Sequence, residues 1–257
     1  MIENKNIDAF KLKTFALVFM IIDHLHTYLG IGPRWISIVT QFVAPLFTFF
    51  IVEGFFKTSS RIKYLKRTSL FAIIMLLGNV IINLIFKVSD PLTGKMNFYS
   101  IVQGNNIFMT FSVFIILLSL LENIKNKQKT TKSIILFLVF SVVSILFTEG
   151  GLELYPVLLI FYFFYQDNKK ITLSILILSI IRLLYSLYRY FSGSTGANFI
   201  LSMSFYSSWA MVLVIIPILL YNNKRGRNDS FSKWLFYFIY PLHIWVLNII
   251  KLFLFPD

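Results

Sequence analysis

The 257-residue sequence carries 24 Lys and Arg against 11 Asp and Glu, a net charge of +13, yet only 14% of it is charged and 57% is hydrophobic. Soluble domains average about 25% charged residues, so this composition excludes a soluble globular protein and describes a polytopic membrane protein. No cysteine is present, which excludes disulfides, thiolate catalysis and cysteine-ligated metals. The basic residues fall in short clusters between apolar segments, not on one face or tail, so the charge is read as a topology signal and not as nucleic-acid binding.

A bilayer span takes about 20 mostly apolar residues. In chain order, the apolar runs predict nine helices at 12–29, 36–56, 69–87, 105–121, 133–148, 153–166, 171–190, 204–221 and 233–255. The first run lacks a small-residue cleavage site and is expected to be retained. The fifth and sixth are short, and one long hairpin dipping into the bilayer is an alternative for that pair.

Basic residues concentrate in alternate connections: Lys5, Lys11 and Lys13; Lys57 to Arg67; Lys125, Lys127, Lys129 and Lys132; Lys169 and Lys170; Lys224, Arg225, Arg227 and Lys233. The connection near residue 150 holds only the acids Glu149 and Glu153. Positive charge marks the cytoplasmic side, which predicts an inner N-terminus and an outer C-terminus in a multi-pass bacterial plasma-membrane protein. The expected fold is an all-α membrane bundle, one domain over 1–257. It carries a basic segment at 57–68 spaced like a short interfacial helix and a long outer loop at 88–104 with turn residues Pro91, Gly94 and Gly104.

Ionisable side chains inside a bilayer cost about 2.5–3.5 kcal/mol each and are functional candidates by default. At about 1.5 Å per residue, Asp23, His24, Arg182, Asn79 and His243 all fall near mid-membrane. Helices that bury polar groups must turn them toward one another or toward a wet cavity, so the shared depth predicts a central polar chamber. Adjacent residues on a helix diverge by about 100°, so Asp23 is expected to pair away from His24, with Arg182 or with the ring of His243. His26 faces nearly opposite His24. Blander readings stand beside these: Asp23 with Arg182 as a plain buried pair, His243 bonded to a carbonyl freed by Pro241, and Asn79 as a packing hydrogen-bonder. Glu53, near the inner end of its helix, either pairs with Lys57 or gates the chamber mouth.

Five segments then carry a resemblance: "LKTFALVFMIIDHLHTYL", "APLFTFFIVEGFFKTSSRIKYLKR", "NNIFMTFSVFIILL", "LLYNNKRG" and "FYFIYPLHIWVL". In this order they resemble the motifs of the TraX family, named for the acetylase that modifies the N-terminus of F-type pilin. Asn223 stands where the family pattern has Gly, and "TEGGLELYPVLLI" matches only loosely. The resemblance implies acetyl transfer from acetyl-CoA to an amine and points to Asp23, His24, Glu53, Arg67, Asn106, Asn222 and His243.

Both readings combine in one expected mechanism. Arg61, Arg67, Asn222, Lys224 and Arg225 bind the polyanionic coenzyme at the inner face. His24 is the general base, and Asp23 orients an imidazole as the acid of a triad does. His243, with Asn79 or Asn106, shuttles protons or stabilises the oxyanion. The acceptor is a peptide or pilin-like N-terminus at the outer face, with O-acetylation of a glycan or lipid-linked acceptor as one alternative and a proton-coupled transporter as another. The expected partners are acetyl-CoA, the acceptor at the outer face and membrane lipids; no metal and no nucleic acid is expected.

Overall fold

A computed structural model of the chain describes residues 7–128, 130–193 and 198–255. Lys5, Lys129 and most of the Gly/Ser-rich stretch after residue 193 lie outside these. The described residues form helices and no strand beyond one isolated parallel bridge between Ile7 and Tyr221.

Helix α1 (Ala9–Leu29) starts where the Asp8 carboxylate accepts the Lys11 N–H and stops at Gly30, whose φ of 67° is left-handed. Next comes α2, Ile36–Lys57, interrupted by a 3-10 turn at Thr40–Phe42. α3 (Arg61–Ile85) is capped by Ser60, and the short α4 (Phe98–Val102) by an Asn97–Ser100 capping box. The basic residues 61–67 are thus the first turns of a long helix and not a separate element. α5 (Ile107–Lys125) is capped by Asn106, and α6 (Thr130–Phe147) packs back on it. α7 (Gly151–Phe163) and α8 (Asn168–Phe191) follow. Then α9 (Phe199–Phe205) leads into a 3-10 helix at Ser207–Val214 that continues as α10 (Ile215–Leu220). α11 (Ser230–Leu254) ends the described chain.

Helix length and apolarity do not by themselves yield the expected nine spans. Among the described residues, six helices (α2, α3, α5, α6, α8 and α11) are long and apolar enough to cross a membrane, or seven if α9 and the segment Ser207–Leu220, bent by 64°, form one broken span. α1 is not among them, since Lys13, Asp23, His24 and His26 lower its hydropathy. α7 has only 13 residues. It turns tightly off α6, where a Cβ at Gly151 would strike the Ser144 carbonyl.

Burial runs opposite to that of a soluble protein. On α8, Ser179 and Ser186 are buried while Leu173, Ile177, Ile181 and Leu184 are exposed. Thr48, Thr110 and Ser202 are fully enclosed, whereas Leu138, Leu146 and Ile85 face outward. Apolar rows on the outside are stable only against lipid.

The chain divides into two compact units, Met1–Glu53 with Pro156–Trp234, and Gly54–Tyr155 with Leu235–Asp257.

Candidate functional site

In the first unit, the start of α1 is strapped to the basic turn that follows α10. Ala9 N–H donates to the Lys224 carbonyl at 2.9 Å, Phe10 N–H to that of Arg225 at 3.2 Å, and Asn222 N–H to that of Ile7 at 3.0 Å. Asn223 sits at φ 60°, a left-handed position natural to glycine and tolerated by asparagine, which explains why Asn substitutes for Gly there. Gly226, at φ 71°, packs so closely that a Cβ would strike the Asp8 carboxylate. The Asn222 side chain accepts the Lys224 N–H at 2.9 Å, leaving Lys224 and Arg225 exposed, with no ion pair among the described residues. Arg227 is neutralised by Asp229 at 2.6 Å.

Just inside this turn, the Tyr221 hydroxyl donates to Glu53 Oε1 at 2.6 Å, and both residues are buried. Burial first, and then the neighbouring carboxylate, holds the Tyr221 phenol well above its usual range, so it remains a donor.

Further along α1, His24 is buried with its ring edge-on to Tyr28. Asp23 accepts a close hydrogen bond from the Thr40 hydroxyl of α2 and forms no ion pair among the described residues. The expected Asp23–Arg182 pair and the expected hold of Asp23 on an imidazole are therefore replaced by a hydroxyl contact. A Thr on the adjoining helix reaches the carboxylate without the desolvation cost of a second buried charge. Arg182 places Nη1 3.1 Å from Met211 Sδ. The His26 Nδ1 lies 3.2 Å from the Ile31 carbonyl, so it serves the end of its own helix.

In the second unit, Asn79 is fully used: its Nδ2 donates to the Asn105 carbonyl at 3.2 Å and its Oδ1 accepts the Trp245 indole N–H at 3.1 Å. Gly78 makes room for that indole and Gly104, at φ 141°, for the Asn79 amide. Asn106 caps α5 and donates to the Ala72 carbonyl at 2.9 Å. Both amides thus pin the loop before α5. Arg61 lies 3.7 Å from Glu122 and over the Phe55 ring, while Arg67 donates to the Tyr237 hydroxyl at 3.1 Å. Gly54 lets the Tyr64 phenol approach this arginine from below.

His243 Nδ1 is 2.7 Å from the Ile239 carbonyl. A carbonyl only accepts, so Nδ1 is the donor in this contact. The acceptor is the carbonyl one turn back on the same helix and not one freed by Pro241, whose missing N–H would have served Tyr237.

One acid escaped the sequence reading. Glu149, in the turn between α6 and α7, accepts the Tyr240 hydroxyl at 3.0 Å on Oε2 and the Asn105 amide at 3.2 Å on Oε1. The Thr110 hydroxyl holds its backbone carbonyl at 2.8 Å. Burial pushes the carboxyl up to about 7, against the lowering pull of Tyr240, the Asn106 backbone and Asn105. The available signal was an acid between two short apolar runs in a chain with few acids. Among the described residues no group of three or more His, Asp or Glu is arranged to hold a metal.

A family model described as TraX protein matches residues 9–251. The chain is similar to the probable fimbrial assembly protein FimC, serogroup H1, of Dichelobacter nodosus, with 26% identity over 268 residues that cover 98% of this chain and 99% of that protein. No solved structure matches.

Proposed function

The chain belongs to the TraX family, and from that premise we propose that it is a membrane-embedded acetyltransferase moving an acetyl group from acetyl-CoA to the amino terminus of a pilin-like peptide. The observation that carries the reading is that one continuous helix, α1, joins an unneutralised basic turn to a buried imidazole. From Ala9, bonded to the turn, to His24 is fifteen residues, or roughly 22 Å of helix.

Coenzyme phosphates bind at Lys224 and Arg225, where exposed cations and the fixed backbone of the turn offer charge and donors. Asn222 sets the turn by accepting the Lys224 N–H. With the phosphates on the cytoplasmic rim, the thioester arm extends along the direction of α1 toward His24.

The amine nitrogen attacks the thioester carbonyl carbon, a C–N bond forms and the C–S bond breaks. His24 takes the proton that the nitrogen sheds and delivers it to the departing thiolate. Asp23, held by Thr40, places a carboxyl group one residue from the imidazole. His243, its Nδ1 bonded to the Ile239 carbonyl, is a proton-handling candidate within the second unit. We assign Asn79 and Asn106 to holding the loop before α5, because their amides are spent there. The similarity to a probable fimbrial assembly protein of Dichelobacter nodosus favours a pilus subunit as acceptor over a glycan hydroxyl. The setting is the bacterial plasma membrane, N-terminus inside.

The test is the protein purified in detergent with radiolabelled acetyl-CoA. His24→Ala should bind the coenzyme like the wild type and transfer about 100-fold more slowly or worse, while Lys224→Ala with Arg225→Ala should bind it more weakly. A wild type without affinity for acetyl-CoA that dissipates a proton gradient in liposomes would instead identify a transporter.

A further inference from the structure

We propose that the Glu149 carboxylate is a receiving site for a protonated primary amine, the acceptor of the reaction proposed above, and takes one proton from it; this rests on that reading.

The carboxyl is fixed from three directions, by Tyr240 on α11, Asn105 in the loop before α5, and the backbone N–H of Asn106, with Thr110 of α5 anchoring its main chain. Tyr240, Asn106 and Thr110 are all buried. Every one of these donors is neutral. The chain has 24 Lys and Arg, yet among the described residues none forms an ion pair with Glu149. Glu149 itself is half-buried, and an acid withdrawn from water is ordinarily neutralised by a protein cation. Neutral donors hold this one in place and leave its charge uncompensated, which is what a counter-ion site for a cationic ligand requires.

An ammonium fits better than a metal ion. A hard cation needs several oxygen ligands, whereas Asn105 turns its N–H, and Tyr240 its O–H, toward this single carboxylate. An ammonium asks for one strong acceptor and gives a short charge-assisted bond. The residue lies in the turn next to the exposed Gly150 and Leu152, so it is reachable from the end of the α6–α7 hairpin.

The proton accounting is simple. One N–H bond of the ammonium breaks and one O–H bond forms on Glu149, freeing the nitrogen lone pair. The carboxyl later returns its proton to water. The acetylated product is a neutral amide, so nothing charged holds it and it leaves. The titratable groups near Glu149 are Tyr240, which donates to it; His243, whose ring lies edge-on to Tyr240; and Glu153 on its own turn. Asn105, Asn106 and Thr110 do not titrate. A free α-amine has a pKa of about 7.7–8.0, close above the value to which burial pushes Glu149, so proton exchange between the two is nearly balanced.

The experiment measures binding of a short synthetic peptide with a free α-amine, and of the same peptide N-acetylated, to the whole protein in detergent without coenzyme. The wild type should prefer the free amine by about tenfold to hundredfold. That preference should peak between the two pKa values and fade on either side. Glu149→Gln should abolish the preference, and Glu149→Asp, one methylene shorter, should retain part of it. A wild type indifferent to the amine, a preference that persists at acid pH, or a Glu149→Gln protein that keeps the preference overturns the proposal. The pH series needs no variant, so a misfolded mutant does not rescue it. Because no acetyl transfer is read, loss of the acetyltransferase reading and loss of this site are seen separately.

Discussion

Replacing Glu149 by Gln should make the protein more stable in alkali and not in acid. The carboxyl is pushed from an ordinary 4.5 to about 7 in the folded state. A raised acid pKa means that the folded chain holds its proton where the unfolded chain has lost it, so stability falls as pH rises from the unfolded value to the folded one and is level above it. At 1.36 kcal/mol per unit, that difference amounts to about 3 kcal/mol at most. Gln keeps a carbonyl for Tyr240 but sets an amide N–H against the donors of Asn105 and Asn106, costing about 1 kcal/mol. The net expectation is a gain of about 2 kcal/mol near pH 9, equivalent to roughly 4–8 °C in Tm. Near about pH 5, where folded wild type carries the neutral acid, the variant should be equal or slightly less stable. Thermal unfolding followed by tryptophan fluorescence in detergent, across pH, reads both ends. A variant that loses stability equally at every pH would show that the carboxylate bears no ionisation cost, and the reasoning about its environment would fail.

Gly226→Ala adds a Cβ against the Asp8 carboxylate at a left-handed φ, so it should cost about 1–3 kcal/mol and weaken acetyl-CoA binding as well, read by thermal unfolding and calorimetry. Asn223→Gly, at φ 60°, should be neutral or slightly stabilising, whereas Asn223→Val should destabilise by about 2 kcal/mol. Asn79→Leu leaves the Trp245 indole N–H and the Asn105 carbonyl without their partner, a loss of about 1–3 kcal/mol on thermal unfolding. Tyr221→Phe strips Glu53 of its buried donor and should cost about 1.5–3 kcal/mol by the same measurement.

Much of the fold was legible because hydropathy acts over long windows. The runs at 36–56, 69–87 and 233–255 emerge as α2, α3 and α11, extended where caps such as Ser60 lie beyond the apolar residues. The run at 204–221 was legible as apolar but not as broken, since the 64° bend after Phe205 arises from tertiary packing of Tyr206 and Ser207 on α8 and α2. At the site, the sequence singled out Asp23, His24 and His243 as costly polar residues in apolar surroundings. It did not supply their partners, because Thr40 and the Ile239 carbonyl are too ordinary to stand out. Glu149 looked like a loop acid for the same reason: what makes it unusual is the enclosing set of Tyr240, Asn105 and Asn106, distant in sequence. The Asn223 departure from the family pattern became intelligible only once its backbone angle was known.

The most direct measurement is the intact mass of a free-amine peptide after incubation with acetyl-CoA and the purified protein in lipid vesicles. The account predicts one acetyl group on the terminal nitrogen with the wild type and almost none with His24→Ala, although both bind the coenzyme. An unmodified peptide with the wild type, or one acetylated equally by the His24 variant, would contradict it.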